Sequence, residues 1–189
     1  KGSILAHRGW WQKESEKNTP AALVRALSAG FGVETDIRDL NGELVISHDP
    51  PIDAQTTSSW LFKQYDEIKA NGRIALNIKS DGLQDMLGEL IKNAGLEKQT
   101  FVFDMSVPDT ILYIKRIPFY IRISEYENPA IFENKTEGVW VDSFTGMFSH
   151  VEQCLFYLEK GLRVAMVSPE LHKRDHRPTW DDIIKAGLH

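Results

Sequence analysis

Apolar and polar positions along the chain alternate between two kinds of segment. Short runs rich in β-branched and aromatic residues are typical of buried strands, and apolar residues between them recur at the spacing of an amphipathic helix. The predicted strands are SILAH (3–7), GFGVETDI (30–37), LVISHD (44–49), RIALNIK (73–79), TFVFDM (100–105), FYIRIS (119–124), GVWVDSF (138–144) and RVAMVSP (163–169).

The helical segments have readable ends. Thr19 is a good N-cap, Pro20 suits the first helical position, and Gly30 ends the segment. Apolar stripes over residues 83–91 and 146–160 also predict helices, each followed by a glycine. Strands that alternate with helices predict an α/β fold with a parallel sheet. Because no linker or repeat interrupts the pattern, we expect a single domain over residues 1–189.

The positions of the polar residues favour a closed barrel over a doubly wound sheet. His7 ends the first predicted strand, and an acid follows each of several later strands: Asp104, Glu125, Asp142 and Glu170. A TIM (β/α)8-type barrel builds its site on this rim, whereas a doubly wound sheet concentrates its site at one switch point. For Asp104 and Asp142 a helix N-cap is an equally good interpretation.

Composition narrows the function classes. The net charge of −5 argues against a general nucleic-acid binder, which needs a basic face. No apolar run approaches the roughly 20 residues of a membrane helix, so we expect no integral membrane segment. No signal peptide opens the sequence, and we expect a soluble protein, either cytoplasmic or exported with its leader removed. The single cysteine, Cys154, falls on a helical apolar stripe and is predicted to be a buried thiol.

The predicted second strand carries two acids on one face. Side chains alternate along a strand, so Glu34 and Asp36 point the same way. Two adjacent carboxylates repel each other unless a cation or a proton lies between them. Hard oxygen donors suit Mg²⁺ or Ca²⁺ better than zinc. An Asn-Gly turn at residues 41–42 should then fold the chain back and bring His48 to the same rim as His7.

Two cationic residues add to this predicted site. Arg8 follows His7, and Lys79 ends a later strand. A divalent cation between two histidines, with further positive charge beside it, suits a phosphate ester, since histidines can transfer protons and cations stabilise the transition state. Each histidine taken alone is more often a core or capping residue.

Five segments together resemble the glycerophosphodiester phosphodiesterase family, which is related to the phospholipase D toxins of spider venom: AHRG (6–9), NTPAAL (18–23), VETDIR (33–38), GELVISHD (42–49) and LNIK (76–79). The resemblance implies a TIM barrel that hydrolyses glycerol phosphodiesters with Mg²⁺ or Ca²⁺. It further implies that His7 and His48 are the acid–base pair. Glu34 and Asp36 would be metal ligands, and Arg8 and Lys79 would be phosphate contacts.

The sequence departs from the family pattern in two places. Members usually carry a glutamate metal ligand two residues before the lysine, where this chain has Asn77. An amide oxygen can still ligate Mg²⁺ or Ca²⁺, but it adds no charge, so the affinity should fall. The sequence also ends after a helix, without the family's last strand. We expect that strand to lie beyond residue 189, because the alternative is an open edge that invites aggregation.

Substrate recognition is predicted less sharply. Glu125 and Glu170, with nearby aromatic residues, could hold a polyol or a cationic head group. His172 and His176 are expected to face solvent. No basic amphipathic helix is apparent, so the predicted partner is a small water-soluble phosphodiester and not an intact lipid.

Three functions remain open. The first is a metal-dependent phosphodiesterase, favoured by the two histidines. The second is a catalytically silent barrel that binds a phosphate or a sugar phosphate, favoured by Asn77. The third is a cyclising, phospholipase D-like lyase.

Overall fold

A computed structural model describes residues 4–53, 55–127, 130–147 and 149–188 of the chain. Ser3, with which the first predicted strand begins, lies outside the described residues, as do Lys1 and Gly2. The chain forms two compact units, Lys1–Pro118 and Phe119–His189.

The first unit alternates strands and helices from its beginning. Its strands are β1 (Leu5–His7), β2 (Gly32–Leu40), β3 (Glu43–Ile46), β4 (Ile74–Ile78) and β5 (Thr100–Phe103). Its helices are α1 (Pro20–Ser28), α2 (Ser58–Ile68), α3 (Gln84–Asn93) and α4 (Val107–Tyr113), and a short 3₁₀ turn covers Glu14–Glu16.

The long strand β2 organises the sheet of the first unit. β1, β2, β4 and β5 pair in parallel in this order, and β2 supplies its first half to these pairs. Its second half continues into a hairpin with the antiparallel strand β3. Asn41 and Gly42 form the turn with φ values of 52° and 81°, the left-handed pair that a tight hairpin requires. The predicted turn is therefore confirmed.

Helix α1 shows why the chain folds locally as the sequence predicts. The Thr19 side chain accepts a hydrogen bond from the backbone N–H of Ala22, and Pro20 occupies the first helical position. One face of the helix, including Leu23 and Leu27, is buried. Burial of each such side chain contributes about 2 kcal/mol to the packing of α1.

The second unit repeats the alternation on a smaller scale. Strands β6 (Tyr120–Ile123), β7 (Gly138–Val141) and β8 (Arg163–Met166) pair in parallel in this order. Helices α5 (His150–Glu159) and α6 (Arg177–Lys185) and 3₁₀ turns at Ala130–Phe132 and Pro169–His172 complete it. Helix α5 begins at His150 and not at residue 146, because the Ser149 side chain caps the N–H of Glu152. Cys154 is buried as predicted.

Every predicted strand overlaps one of the observed strands, and the prediction of an α/β fold with parallel sheets is confirmed. The predicted strand LVISHD corresponds to β3, which pairs with the second half of β2 in an antiparallel hairpin. The single-domain interpretation stays a prediction. Among the described residues, no helix has both the length and the apolar character needed to cross a membrane.

Candidate active site

The register of β1, β2 and β4 brings polar side chains together at the carboxyl ends of these strands. His7 pairs with Glu34, and Asp36 pairs with Asn77. Registered residues of neighbouring parallel strands project to the same face, and Glu34 and Asp36 share that face because they are two positions apart. The sheet therefore places the predicted acid pair between His7 and Asn77.

The chain leaves β1 through two left-handed residues. Arg8 has φ of 55° and Gly9 has φ of 83°. A Cβ atom at Gly9 would lie 2.6 Å from the backbone carbonyl carbon of Ala22, so only glycine fits against α1 here. This sharp exit turns the Arg8 guanidinium back onto β2, where Nε lies 3.0 Å from Asp36 Oδ2.

Asp36 is fully buried and surrounded by donors and cations. In addition to Arg8, the amide Nδ2 of Asn18 donates to its Oδ2 at 2.8 Å. Lys79 Nζ lies 3.5 Å from its Oδ1. The two predicted phosphate contacts are thus both placed beside one carboxylate. Their combined charge exceeds that of Asp36, so this corner of the site attracts anions.

Glu34 is equally buried, but it has fewer partners. Its Oε2 accepts a hydrogen bond from the backbone N–H of Arg8 at 3.1 Å and lies 3.7 Å from His7 Nε2. Its Oε1 has no hydrogen-bond partner among the described residues. Burial, followed by repulsion from Asp36, raises the pKa of Glu34 to about 8. The pocket therefore favours a proton or a cation on this carboxyl group.

His7 is kept neutral by its surroundings. Burial and the positive charge of Arg8 lower the pKa of His7 to about 4. Its backbone carbonyl accepts a hydrogen bond from Trp11 Nε1 at 3.0 Å. A neutral imidazole at the rim of a site can accept a proton at physiological pH.

Oxygen atoms without partners provide a test of whether a divalent cation fits. Glu34 Oε1, Asp36 Oδ1 and Asn77 Oδ1 are buried and have no hydrogen-bond partner among the described residues. All three are hard oxygen donors of the kind that Mg²⁺ and Ca²⁺ prefer. Within the described ranges, no group of three or more His, Cys, Asp or Glu side chains could hold a metal ion. A cation site here would therefore need a donor of another type beside Glu34 and Asp36, and the amide oxygen of Asn77 fits a hard cation.

The chain before His48 returns beside β2 as the predicted turn requires, but the His48 side chain is more exposed than those of His7, Arg8 and Lys79. The backbone N–H of Ser47 donates to the Asp36 carbonyl at 3.1 Å, so the chain beyond β3 runs beside the site. The His48 side chain is 46% exposed, and its Nδ1 lies 2.9 Å from Asp49 Oδ1. In the part of the chain that the structure describes, it makes no ion pair with Glu34 or Asp36.

Glu125 and Glu170 lie in the second unit and have local partners. The Glu125 carboxylate accepts four hydrogen bonds of 2.6–3.2 Å from residues 143–145. Although partial burial opposes ionisation, hydrogen bonds from Ser143 and its neighbours lower the pKa of Glu125 to about 2. Glu170 is exposed and accepts a hydrogen bond from Ser168. Contact of either residue with substrate stays a prediction.

The solvent-facing interpretation of His172 is wrong. Its Nε2 lies 2.7 Å from Asp142 Oδ1, and its ring packs on Phe144 with centroids 5.0 Å apart. Asp142 therefore pairs with a histidine and does not cap a helix. Residues 30 positions apart meet because the 3₁₀ turn after β8 folds over the end of β7. No local pattern in the sequence indicates this contact.

Asn18 is a site residue that sequence reasoning missed. It belongs to the NTPAAL segment, but no role follows from that motif. In the structure it contacts Asp36, Thr35 and the backbone of Arg8. The one indication in the sequence was an asparagine directly before the helix cap Thr19, since asparagine adopts a left-handed backbone more readily than most residues.

Comparisons of the fold with solved structures give clear matches. A glycerophosphodiester phosphodiesterase from Parabacteroides distasonis is 18% identical, with 96% of this chain and 88% of that chain covered and a TM-score of 0.72. A candidate glycerophosphodiester phosphodiesterase from Galdieria sulphuraria is 17% identical, with 96% and 89% covered and a TM-score of 0.76. A phosphodiesterase from Oleispira antarctica, solved with the product sn-glycerol-3-phosphate, is 16% identical, with 87% and 83% covered and a TM-score of 0.61.

These likenesses show the fold. They confirm the TIM-barrel-type α/β fold class and agree, at the level of fold, with the resemblance drawn from the motifs. No family model matches the sequence, and no curated protein matches it.

Proposed function

We propose that the chain is a metal-dependent phosphodiesterase that hydrolyses a glycerophosphodiester or a similar small phosphodiester. One observation carries the proposal. Buried Asp36 lies beside two cations, Arg8 and Lys79, while Glu34 Oε1 and Asn77 Oδ1 are buried without hydrogen-bond partners among the described residues. The likeness to phosphodiesterase structures supports the same reaction class.

The phosphate of the substrate is placed by the positive charge of the site. Arg8 and Lys79 approach Asp36 from its two oxygens and together bring one more positive charge than Asp36 neutralises. A phosphodiester carries one negative charge, so it matches this excess. Removal of either cation should therefore raise KM for the diester.

The residues that would hold a divalent cation are Glu34, Asp36 and Asn77. When bound, such a cation supplies charge that polarises the phosphoryl group and stabilises the charge of the transition state. Its positive charge would also keep Glu34 ionised, because it offsets the burial and the repulsion from Asp36 that otherwise favour the protonated acid.

The proton transfers are assigned to the histidines. His7, neutral because its pKa is low, accepts a proton from water as the water oxygen forms its bond to phosphorus. As the bond from phosphorus to the leaving oxygen breaks, His48 donates a proton to that oxygen. The products are an alcohol and a phosphate monoester, and each histidine returns to its starting state by exchange with solvent.

The test is hydrolysis of glycerophosphodiesters followed by phosphorus NMR, with Mg²⁺ or Ca²⁺ and with excess EDTA. The proposal predicts a monoester signal that EDTA abolishes. A cyclic phosphate signal would instead identify a cyclising lyase. Turnover that survives exhaustive chelation would contradict the metal dependence.

A catalytically silent binding barrel is the second candidate, and Asn77 favours it. A neutral amide at this position lowers the charge available to hold a cation. In the same NMR assay, this candidate predicts unchanged diesters with every cation, together with a diester signal that broadens when protein is added.

A further inference from the structure

Asn18 lies directly before the cap of α1 and is tied to the end of β1. Its backbone N–H donates to the Arg8 carbonyl at 2.9 Å. Its backbone is left-handed, with φ of 61°, a conformation that asparagine adopts more readily than most residues. The backbone of Asn18 is therefore held in a fixed position beside the end of β1, and its side chain extends from there.

The amide of Asn18 bridges two consecutive residues of β2. Its Nδ2 donates to Asp36 Oδ2 at 2.8 Å, and its Oδ1 accepts from Thr35 Oγ1 at 2.8 Å. A carboxylate only accepts hydrogen bonds, so the NH₂ group must face Asp36 and the carbonyl must face Thr35. Thr35 is fully buried, and its hydroxyl must then act as the donor. The chemistry of both partners thus fixes the amide orientation.

The bridge makes the two oxygens of Asp36 unequal. Oδ2 is contacted by Asn18 and by Arg8 Nε, at 2.8 Å and 3.0 Å. Oδ1 has no hydrogen bond among the described residues, and Lys79 Nζ lies 3.5 Å from it. Two contacts on one oxygen fix the plane of a carboxylate that could otherwise rotate about its Cβ–Cγ bond. The other oxygen, which has no hydrogen bond among the described residues, keeps its lone pairs for a further cation.

We propose that Asn18, held by Thr35, is a positioning residue that orients Asp36 so that Oδ1 is presented to a divalent cation. This inference rests on the function proposed above. Asn18 itself contacts no reacting atom. Its effect is preorganisation, because a carboxylate that is already oriented loses less freedom when it binds.

The first test is titration calorimetry of Mg²⁺ and Ca²⁺ with the variant Asn18→Gly. Glycine keeps the left-handed backbone and removes the amide. We expect the cation affinity to fall about tenfold, the equivalent of about 1.4 kcal/mol. The matched control is Asn41→Gly, which makes the same substitution at φ of 52° in the exposed hairpin turn. This control should bind as the unaltered protein does.

A second variant tests the chain of contacts from Thr35. Thr35→Val keeps the side-chain shape and removes the donor to Asn18, so the affinity should fall in the same direction by about threefold. The double variant should bind no more weakly than Asn18→Gly alone, because Thr35 acts only through Asn18. Fully additive losses would overturn that link. Thr35→Val also keeps the test decisive if Asn18→Gly fails to fold.

Two readouts separate positioning from general loss of structure. In metal-free protein, the side-chain amide of Asn18 should give NMR signals that shift in Thr35→Val. Turnover of Asn18→Gly should recover as the cation concentration is raised, since only cation binding is weakened.

Affinity of Asn18→Gly equal to that of the unaltered protein would overturn this inference alone. An unaltered protein that binds neither ion would overturn the metal-dependent function and this inference with it.

Discussion

Two glutamates of this chain, one buried and one half-buried, have opposite hydrogen-bonding environments and opposite pKa shifts. Glu125, in the second unit, receives four hydrogen bonds from residues 143–145, which lower its pKa to about 2 despite partial burial. Glu34, in the first unit, is fully buried beside Asp36 with one oxygen unpartnered among the described residues, and its pKa rises to about 8. A carboxylate whose oxygens both accept hydrogen bonds from a loop stabilises that loop. A buried carboxylate with an oxygen that accepts none is suited to bind a ligand.

The comparison extends to the surroundings of each acid. The four donors to Glu125 are neutral groups of residues 143–145, and they satisfy both of its oxygens. Glu34 shares its pocket with Asp36, whose charge is more than offset by Arg8 and Lys79 from other segments of the chain. Long-range contacts of this kind are characteristic of sites that bind charged ligands.

The largest effect is expected from the histidines. His7→Ala and His48→Ala should each lower turnover by about a hundredfold or more, because each removes one proton transfer. Circular dichroism should show that both variants remain folded. Turnover of the unaltered protein should give a bell-shaped pH profile. Near-normal turnover in either variant would mean that this histidine is structural.

Glu125→Gln should act on stability and leave cation binding intact. An amide can replace one carboxylate oxygen as an acceptor but turns an N–H donor toward the other partner, so a backbone N–H is left unpaired. We expect the free energy of unfolding to fall by about 2 kcal/mol, measured by urea denaturation. Unchanged stability would show that the hydrogen bonds to Glu125 contribute little.

Substitutions at Asn77 test whether a third negative charge at the proposed cation site strengthens cation binding. Asn77→Glu should tighten binding of Mg²⁺ or Ca²⁺ by about tenfold, if the added attraction is worth about 1.4 kcal/mol. Asn77→Leu should weaken it, because an oxygen ligand is lost. Titration calorimetry of the three proteins measures both changes. Equal affinities would mean that Asn77 does not reach the cation and would favour the silent binding barrel.

The pKa of Glu34 predicts a pH-dependent stability in metal-free protein. Below about pH 4.5 the carboxyl group is protonated in both folded and unfolded states; between about 4.5 and 8 only the folded state keeps the proton. The stability that this proton contributes is therefore lost as pH rises toward 8. Glu34→Gln lacks this loss, so its melting temperature should exceed that of the unaltered protein by about 3 °C or more at pH 8.

The control for this experiment is the same pair of proteins at pH 5, with EDTA at both values. There the difference in melting temperature should be smaller. Melting temperatures that stay parallel between pH 5 and pH 8 would show that Glu34 does not hold its proton in the folded state.

Much of this site could be predicted from the sequence because its geometry is local. Strand alternation placed Glu34 and Asp36 on one face, and the Asn-Gly turn at residues 41–42 predicted the hairpin. Lys79 was expected at the same rim, and its ammonium lies beside Asp36. Such features need only the period of a strand and the chemistry of one turn.

The missed features depend on contacts that no local pattern encodes. The pairing of His172 with Asp142 joins two loops, and the bridge from Asn18 to Asp36 joins a helix start to a strand. The exposure of His48 likewise follows from the path of the chain after the hairpin. Loop paths are set by tertiary packing, which the periodicity of a sequence does not determine.

The most direct test of the account compares cation binding by Glu34→Gln and Glu125→Gln. Titration calorimetry with Mg²⁺ and Ca²⁺ measures both variants and the unaltered protein under the same conditions. The account predicts that the unaltered protein and Glu125→Gln bind one ion with similar affinity, whereas Glu34→Gln loses at least about tenfold. Equal binding by Glu34→Gln, or equal loss in both variants, would contradict the assignment of the cation site to Glu34 and Asp36.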